Sequence, residues 1–389
     1  MDPDWLIIEP VTYDCLVVGG GVIGLLVAYE LSGAGLRVCL IDRGTPGREA
    51  SWAGAGVLPP HRALPQDTAI EKLATASADL HPQWAQQLRE QTGIDNGYRR
   101  CGGIHVARTR QLADRLDQAV DCWRQRHVAV EPMGPDDLFS LEPSLAPAKS
   151  NHVPRFLAAY LLPDESQIRN PWHLRALLVA CRLRGVDIMA GVTAEGFNVR
   201  RDRVVAIRTT AGNLCADRIC LTCGCWTAAL TAKLGFTAKI APIRGQIVLL
   251  TTGAVSPRRI ITEGRRYLVP RPDRRILVGS TEEEAGFDCH TTGAGVAGLL
   301  AFALEIAPVL SEAEVKTTWA GLRPGTADRK PYIGVVPGLD NVLIAAGHFR
   351  SGLQLSTGTA VVMRQLVCGE SPDFELEELS PLRHDPSSA

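Results

Sequence analysis

The chain has 389 residues, 46% hydrophobic and 21% charged, with 41 basic against 42 acidic side chains and a net charge of −1. That length exceeds what one hydrophobic core usually serves, so two folding units are expected. A near-neutral balance excludes recognition of nucleic acid or of an anionic membrane surface by bulk charge. The eleven cysteines, odd in number and scattered, suit a reducing compartment better than a disulfide framework. The start, Met1-Asp2-Pro3-Asp4, is acidic, and the apolar run after it is too short for a secretory core. The longest later run, Val296 to Leu304, is too short to span a bilayer. A cytoplasmic location is therefore expected.

The first element carries the most information. Tyr13 to Val18 is an apolar strand, and Gly19-Gly20-Gly21-Val22-Ile23-Gly24 is a Gly-x-Gly-x-x-Gly turn opening a helix of small residues. Arg37 to Ile41 is a second strand, ending in the acid Asp42. Gly19 allows the tight turn, Gly21 lets backbone approach a pyrophosphate, and Gly24 lets the helix pack against the sheet. Amides at the helix start face phosphates, and Asp42 can accept from a ribose 2′-hydroxyl. Eighteen residues separate Gly24 from Asp42, close to the ~20 the geometry expects. This unit fits either FAD or NAD. The stretch Ala50-Ser51-Trp52-Ala53-Gly54-Ala55-Gly56-Val57-Leu58 is rich in small residues. It suits backbone lying against a large flat ring, with the Ser51 hydroxyl free for a pyrophosphate. It suits close packing of two elements equally well.

Thr109 to His127 has the apolar spacing of an amphipathic helix, with Leu112, Leu116, Val120 and Trp123 on one face. Pro132, Pro135, Pro143, Pro147 and Pro154 punctuate the next segment, as in a crossover between domains. Pro171 to Arg184 reads as a helix stopped by Gly185, and Val186 to Ala190 as a strand, an alternation that returns the chain to its first domain. Val204 to Thr210 and Asp217 to Thr222 read as strands. Cys220, Cys223 and Cys225 follow as small apolar residues at a strand end, because no second ligand cluster accompanies them. Gln246 to Thr251, Arg266 to Val269 and Ile276 to Val278 suggest an antiparallel sheet. A helix over about Gly293 to Ile306, a buried strand over Val342 to Gly347 and a helix over about Gly352 to Cys368 complete the pattern. The tail beyond Pro381 reads as disordered.

Further motifs occur in a fixed order: Pro242-Ile243-Arg244-Gly245-Gln246, Tyr267-Leu268-Val269-Pro270-Arg271, Trp319-Ala320-Gly321-Leu322-Arg323-Pro324-Gly325-Thr326, and Gly347-His348-Phe349-Arg350-Ser351-Gly352. With these and the first two glycine-rich stretches, the chain resembles the FAD-dependent amino-acid oxidases of the D-amino-acid oxidase and sarcosine oxidase type. The resemblance is closest to their glycine-oxidising branch of thiamine biosynthesis and runs from Tyr13 to about Gly369. It implies an α/β protein with an α+β second domain. A Rossmann-like FAD-binding domain would comprise 10–85, 155–235 and 319–370, with an inserted antiparallel-sheet substrate domain of 86–154 and 236–318 and a tail of 371–389.

The same resemblance implies roles. Gly19, Gly21, Val22, Ile23 and Gly24 would form the pyrophosphate turn, Asp42 and Arg43 would meet the adenosine ribose, and Ser51, Ala55, Gly56 and Val57 would follow the phosphates and flavin. Ala194 would give a backbone contact near the adenine. His348, Phe349, Arg350, Ser351, Gly352 and Leu353 would wrap the flavin's pyrimidine end. There a helix starting near Gly352 would aim its positive end at N1 and C2=O. Arg323 would hold the substrate carboxylate, since a guanidinium fork matches it bidentately. Tyr267 would add a second carboxylate contact, or serve as a core aromatic. Arg350 would lie near both flavin and substrate. His348 reads as structural, and no side chain is assigned as catalytic acid or base. Ser351, Gln354 and Glu282 stand where relatives commonly have Asn, an aliphatic residue and, in some, Met. A Glu282 facing the pocket would alter substrate preference.

The reaction implied is oxidative deamination of glycine or another small amino acid, such as sarcosine or a D-amino acid. Hydride passes to flavin N5, and molecular oxygen is the acceptor. The products are the 2-oxo acid, ammonia or an amine, and hydrogen peroxide. A homo-oligomer is consistent with the resemblance. A dehydrogenase using another acceptor, or a non-catalytic flavin-binding module, would share the cofactor motifs.

Overall fold

Strand β1 (Thr12–Val18) is apolar because it lies at the centre of a sheet, and Cys15, Leu16 and Val17 have no exposed surface. It pairs in parallel with β2 (Val38–Asp42) on one side and with strand Gly212–Leu221 on the other. Asp187–Ala190 extends the parallel sheet beyond β2, and Val342–Ala346 extends it beyond Gly212–Leu221. Tyr332–Val335 closes that edge in antiparallel sense. The first residues of Gly212–Leu221 splay into an antiparallel arm with Arg203–Thr209 and Ala194–Arg200. Residues 12–146, 156–253 and 256–384 are described by this computed structural model.

Helix α1 (Val22–Gly33) is apolar around its circumference, a pattern that requires burial on all sides. It packs between the sheet and helices Asn170–Leu183 and Ser356–Cys368, with helix Ala69–Thr92 completing the layer. The sequence pattern does not reveal that 24-residue helix, which starts with a capping box between Thr68 and Glu71.

The second sheet runs in the order Glu314–Gly325, Ala241–Thr251, Arg275–Gly279, Arg266–Pro270, Ile260–Glu263, Gly103–Ala107, Ala158–Leu162, Glu131–Pro132. It is mixed rather than wholly antiparallel, because Ile260–Glu263 and Gly103–Ala107 run parallel. Helix Gly293–Ile306 covers one face with Leu299, Phe302, Ala303 and Ile306.

Strand pairing departs from the expected boundaries at two places. Ala158–Leu162 pairs with Gly103–Ala107, and Glu314–Gly325 pairs along its length with Ala241–Thr251. Both segments belong to the second sheet, because the chain leaves each strand only at its end. The last long helix begins at Ser356, not near Gly352; a 3-10 turn, Phe349–Ser351, precedes it. Pro132, Pro135 and Pro143 lie in a short strand and the starts of two short helices. The tail is ordered through His384: Leu379 and Pro381 are buried, and Arg383 Nε lies 2.8 Å from Asp328 Oδ2. Met1 to Asp4, Pro147, Pro154 and residues 385–389 lie outside the described residues. Among the described residues no helix is long and apolar enough to cross a membrane.

Candidate active site

Residues from both sheets line a cavity of about 800 Å³, within the ~300–1,000 Å³ range of small-molecule sites. The turn between β1 and α1 forms one end. Gly19 has φ +106°, and a Cβ there would sit 2.7 Å from the Thr222 carbonyl oxygen. Gly24 lies beneath the cavity rather than on it, where a Cβ would overlap the Gly19 carbonyl. Asp42 accepts from the amides of Gly20 (2.7 Å) and Gly44 (2.8 Å), locking the turn to β2. A carboxylate keeps further lone pairs for a ribose hydroxyl. Ser51 Oγ accepts from the Val22 amide at 2.9 Å, which leaves its O–H free to donate. Arg43 stacks 3.7 Å over the Trp226 ring and pairs with Glu49 at 2.8 Å.

Gly19, Gly21, Val22, Ile23, Asp42, Arg43, Ser51, Ala55, Gly56, Val57 and Ala194 all line this cavity, as do His348, Phe349, Arg350, Ser351, Gly352 and Leu353. At the far end it is lined by Tyr267, Arg323 and Arg265 from the second sheet and its turns. Register explains this wall. His105, Thr262 and Tyr267 are direct partners on adjacent strands, so all three project from one face. Arg323 projects over Gly245, where a Cβ would overlap the guanidinium; Tyr267 rests on Gly279, where a Cβ would come within 2.5 Å of the ring. Arg323 donates to Thr281 O (3.0 Å) and Ser280 Oγ (2.7 Å), which leaves further N–H groups of its five unspent. Burial draws its pKa below the ordinary value; Tyr267 opposes that shift and the charge of Arg350 adds to it.

His348 is buried against Thr359 Oγ1 at 3.1 Å. Burial holds its pKa down at about 3, so it is neutral. Cys223 lines the cavity with its thiol on Val18 O, and burial together with the charge of Asp42 pushes it up to about 12.

Some site residues escaped sequence reasoning. Arg271 is buried and donates to three neutral acceptors: Gln167 Oε1 (2.6 Å), Ile168 O (3.0 Å) and Ala55 O (2.7 Å). It clamps the Ala55–Val57 wall to the second sheet and stays cationic, although burial lowers its pKa to about 10. Asn170 donates to Ser51 O at 2.7 Å. His105 and buried Glu165 pair at 2.9 Å on the outer wall. The only sequence signals were the basic end of the Tyr267–Arg271 motif and the Asn-Pro helix start; nothing marked the His–Glu pair.

A glycine-rich turn at one end of the cavity and an arginine with unspent donors at the other suit a dinucleotide and an anionic group. Residues 14–366 match the family model described as FAD dependent oxidoreductase, and the chain belongs to that family. Glycine oxidase from Pseudomonas aeruginosa is 33% identical over 369 residues, covering 94% of this chain and 98% of that protein. The crystal structure of glycine oxidase from Geobacillus kaustophilus superposes with a TM-score of 0.89 at 31% identity, over 96% of this chain and 99% of that one. A bifunctional ThiO/ThiG protein from Trichormus variabilis is 28% identical over 93% of this chain, which spans 54% of its length. The cofactor is FAD, and the cavity fits it: Gly19, Gly21 and Val22 of the glycine turn line it together with Ala55–Val57 and the His348–Leu353 loop.

Proposed function

We propose that this protein oxidises glycine, or an amino acid of similar size, to the 2-oxo acid and ammonia with molecular oxygen as acceptor, and that this serves thiamine biosynthesis. The observation that carries this reading is Arg323, held over Gly245 by Ser280 and Thr281 with N–H donors left facing the cavity. Its planar fork takes the substrate carboxylate bidentately, which fixes where Cα lies. The Tyr267 hydroxyl, beside that guanidinium, adds a donor to the same carboxylate.

FAD, when bound, supplies the redox chemistry, accepting a hydride and passing two electrons to oxygen. The protein's part is positioning. Neutral His348, bonded to Thr359, holds the loop that lines the cavity and acts neither as acid nor as base. The substrate amine reacts in its neutral form, and the imino acid released is hydrolysed by water. Likeness to glycine oxidases over nearly the whole chain supports glycine, and likeness to the ThiO/ThiG protein supports the pathway. Support for the domain roles comes from the pairing of strands: the parallel sheet presents the phosphate turn and the second sheet presents the carboxylate arginine.

The test is anaerobic mixing of the flavoprotein with glycine, sarcosine and D-alanine, followed by an oxygen electrode. Bleaching by glycine with oxygen uptake and peroxide is expected. Bleaching without oxygen uptake would mean a dehydrogenase; no bleaching by any of the three would remove the amino-acid reading.

A further inference from the structure

Three consecutive residues, Ser280, Thr281 and Glu282, set the two arginines at the substrate end. Ser280 and Thr281 hold Arg323. Glu282 holds Arg350: its Oε2 accepts from Arg350 Nη1 at 2.9 Å, and its Oε1 accepts from Arg265 Nη1 at 2.8 Å. Arg329 Nη2 lies 3.9 Å from the same carboxylate. The other terminal nitrogen of Arg350 donates to the Arg265 carbonyl at 3.0 Å, so both ends of that guanidinium are occupied. Arg265, Arg323 and Arg350 line the cavity, whereas Glu282 stands behind them.

Resting on the function proposed above, we propose that Glu282 is a specificity-determining residue that restricts the site to amino acids bearing a single acidic group. Of the arginines lining the cavity, Arg43, Arg265 and Arg350 are each paired with a carboxylate, whereas Arg323 is held by a hydroxyl and a carbonyl and keeps its charge for a substrate carboxylate. Arg350 is neutralised by Glu282 and tethered to the Arg265 carbonyl, so a second carboxylate on the substrate meets a compensated cation with the charge of Glu282 behind it. Like charges brought together this way reject a wrong ligand more strongly than lost attraction alone. With a neutral residue at 282, Arg350 becomes free to swing onto that second acid.

Two FAD-loaded variants test this, Glu282→Gln and Glu282→Met, each with glycine and with iminodiacetate, which is glycine carrying a second carboxymethyl group on nitrogen. The kcat/KM ratio of iminodiacetate to glycine is expected to rise at least about tenfold, the scale of one charge-assisted hydrogen bond. Adding Arg350→Gln should return the ratio to the starting value. A readout independent of turnover is the perturbation of flavin absorbance by acetate and by malonate, where the variants should tighten malonate relative to acetate by a similar factor. If the variants retain FAD and bind acetate while both ratios stay unchanged, the role of Glu282 is overturned and the amino-acid reading stands. That role is overturned equally if only glycine kcat or flavin content moves, as a structural residue would give. If the wild type neither responds to acetate nor is reduced by glycine, both proposals fall.

Discussion

Arg323 differs from a surface arginine in what surrounds it: a glycine beneath, two acceptors holding its edge, and a cavity ahead. Replacing Arg323 with Ala leaves a carboxylate to be desolvated without its partner, a loss of roughly 2–5 kcal/mol. That corresponds to a fall in glycine kcat/KM of about 30- to several thousand-fold, measurable by steady-state oxygen uptake with FAD content unchanged. Arg323→Lys keeps the charge but not the fork and should fall in between. Gly245→Ala tests the site from below, because the new methyl displaces the guanidinium. Its expected signature is a raised glycine KM in a protein that still melts as a single holo-species. Arg323 and Tyr267 were legible in the sequence because short motifs surround them. Arg350 was legible as a site residue but not as the partner of Glu282, since that contact joins residues 68 apart in the chain.

Among the elements, local geometry wrote β1, α1 and β2 into the sequence, since strand period, glycine spacing and terminal acid all act within thirty-odd residues. Helix Ala69–Thr92 was invisible for a physical reason. Its buried face includes Ala74, Ser77, His81 and Ala85 beside Leu73, Trp84 and Leu88, too polar to register as an apolar stripe. Ser77 is instead satisfied by the last helix, where the Gly358 amide donates to Ser77 Oγ at 3.1 Å and Thr357 Oγ1 donates to Ser77 O at 3.0 Å, and His81 Nε2 pairs with Gln354 O at 3.0 Å. The start of strand Glu314–Gly325 carries no apolar alternation, because Lys316, Thr317 and Thr318 are polar. In α1 the tolerance is smallest at Gly24. A side chain there collides with the Gly19 carbonyl, so Gly24→Val should yield protein with little bound flavin, scored as flavin absorbance per chain.

At the scale of the molecule, three histidines among the described residues are buried and uncharged: burial holds His81 at about 4, and His173 and His348 at about 3. Their folded pKa values lie below the unfolded value of about 6.5. Between those limits the unfolded chain binds more protons, so stability falls as pH drops below ~6.5 and is already complete above it. Each contributes up to about 1.4 kcal/mol per pH unit inside that window. Urea unfolding at pH 7.5 and 5.5 should show the loss, and His348→Asn should flatten the slope. The sheet order was only partly legible, because pairing of Gly212–Leu221 between β1 and Val342–Ala346 joins segments whose separation no local pattern records.

That interleaving also has a consequence in time. A ribosome delivers the phosphate turn early, yet the neighbouring strand Gly212–Leu221 follows only past the middle of the chain, and Val342–Ala346, with the His348–Leu353 loop behind it, later still. The nascent chain therefore holds half a cofactor grip for most of its synthesis, with the edge of β1 open until residues past 212 arrive. A complete cofactor grip accordingly requires the chain to extend past Leu353. Chains truncated before Val342 should emerge from cell-free synthesis without flavin, whereas chains that include the His348–Leu353 loop acquire it.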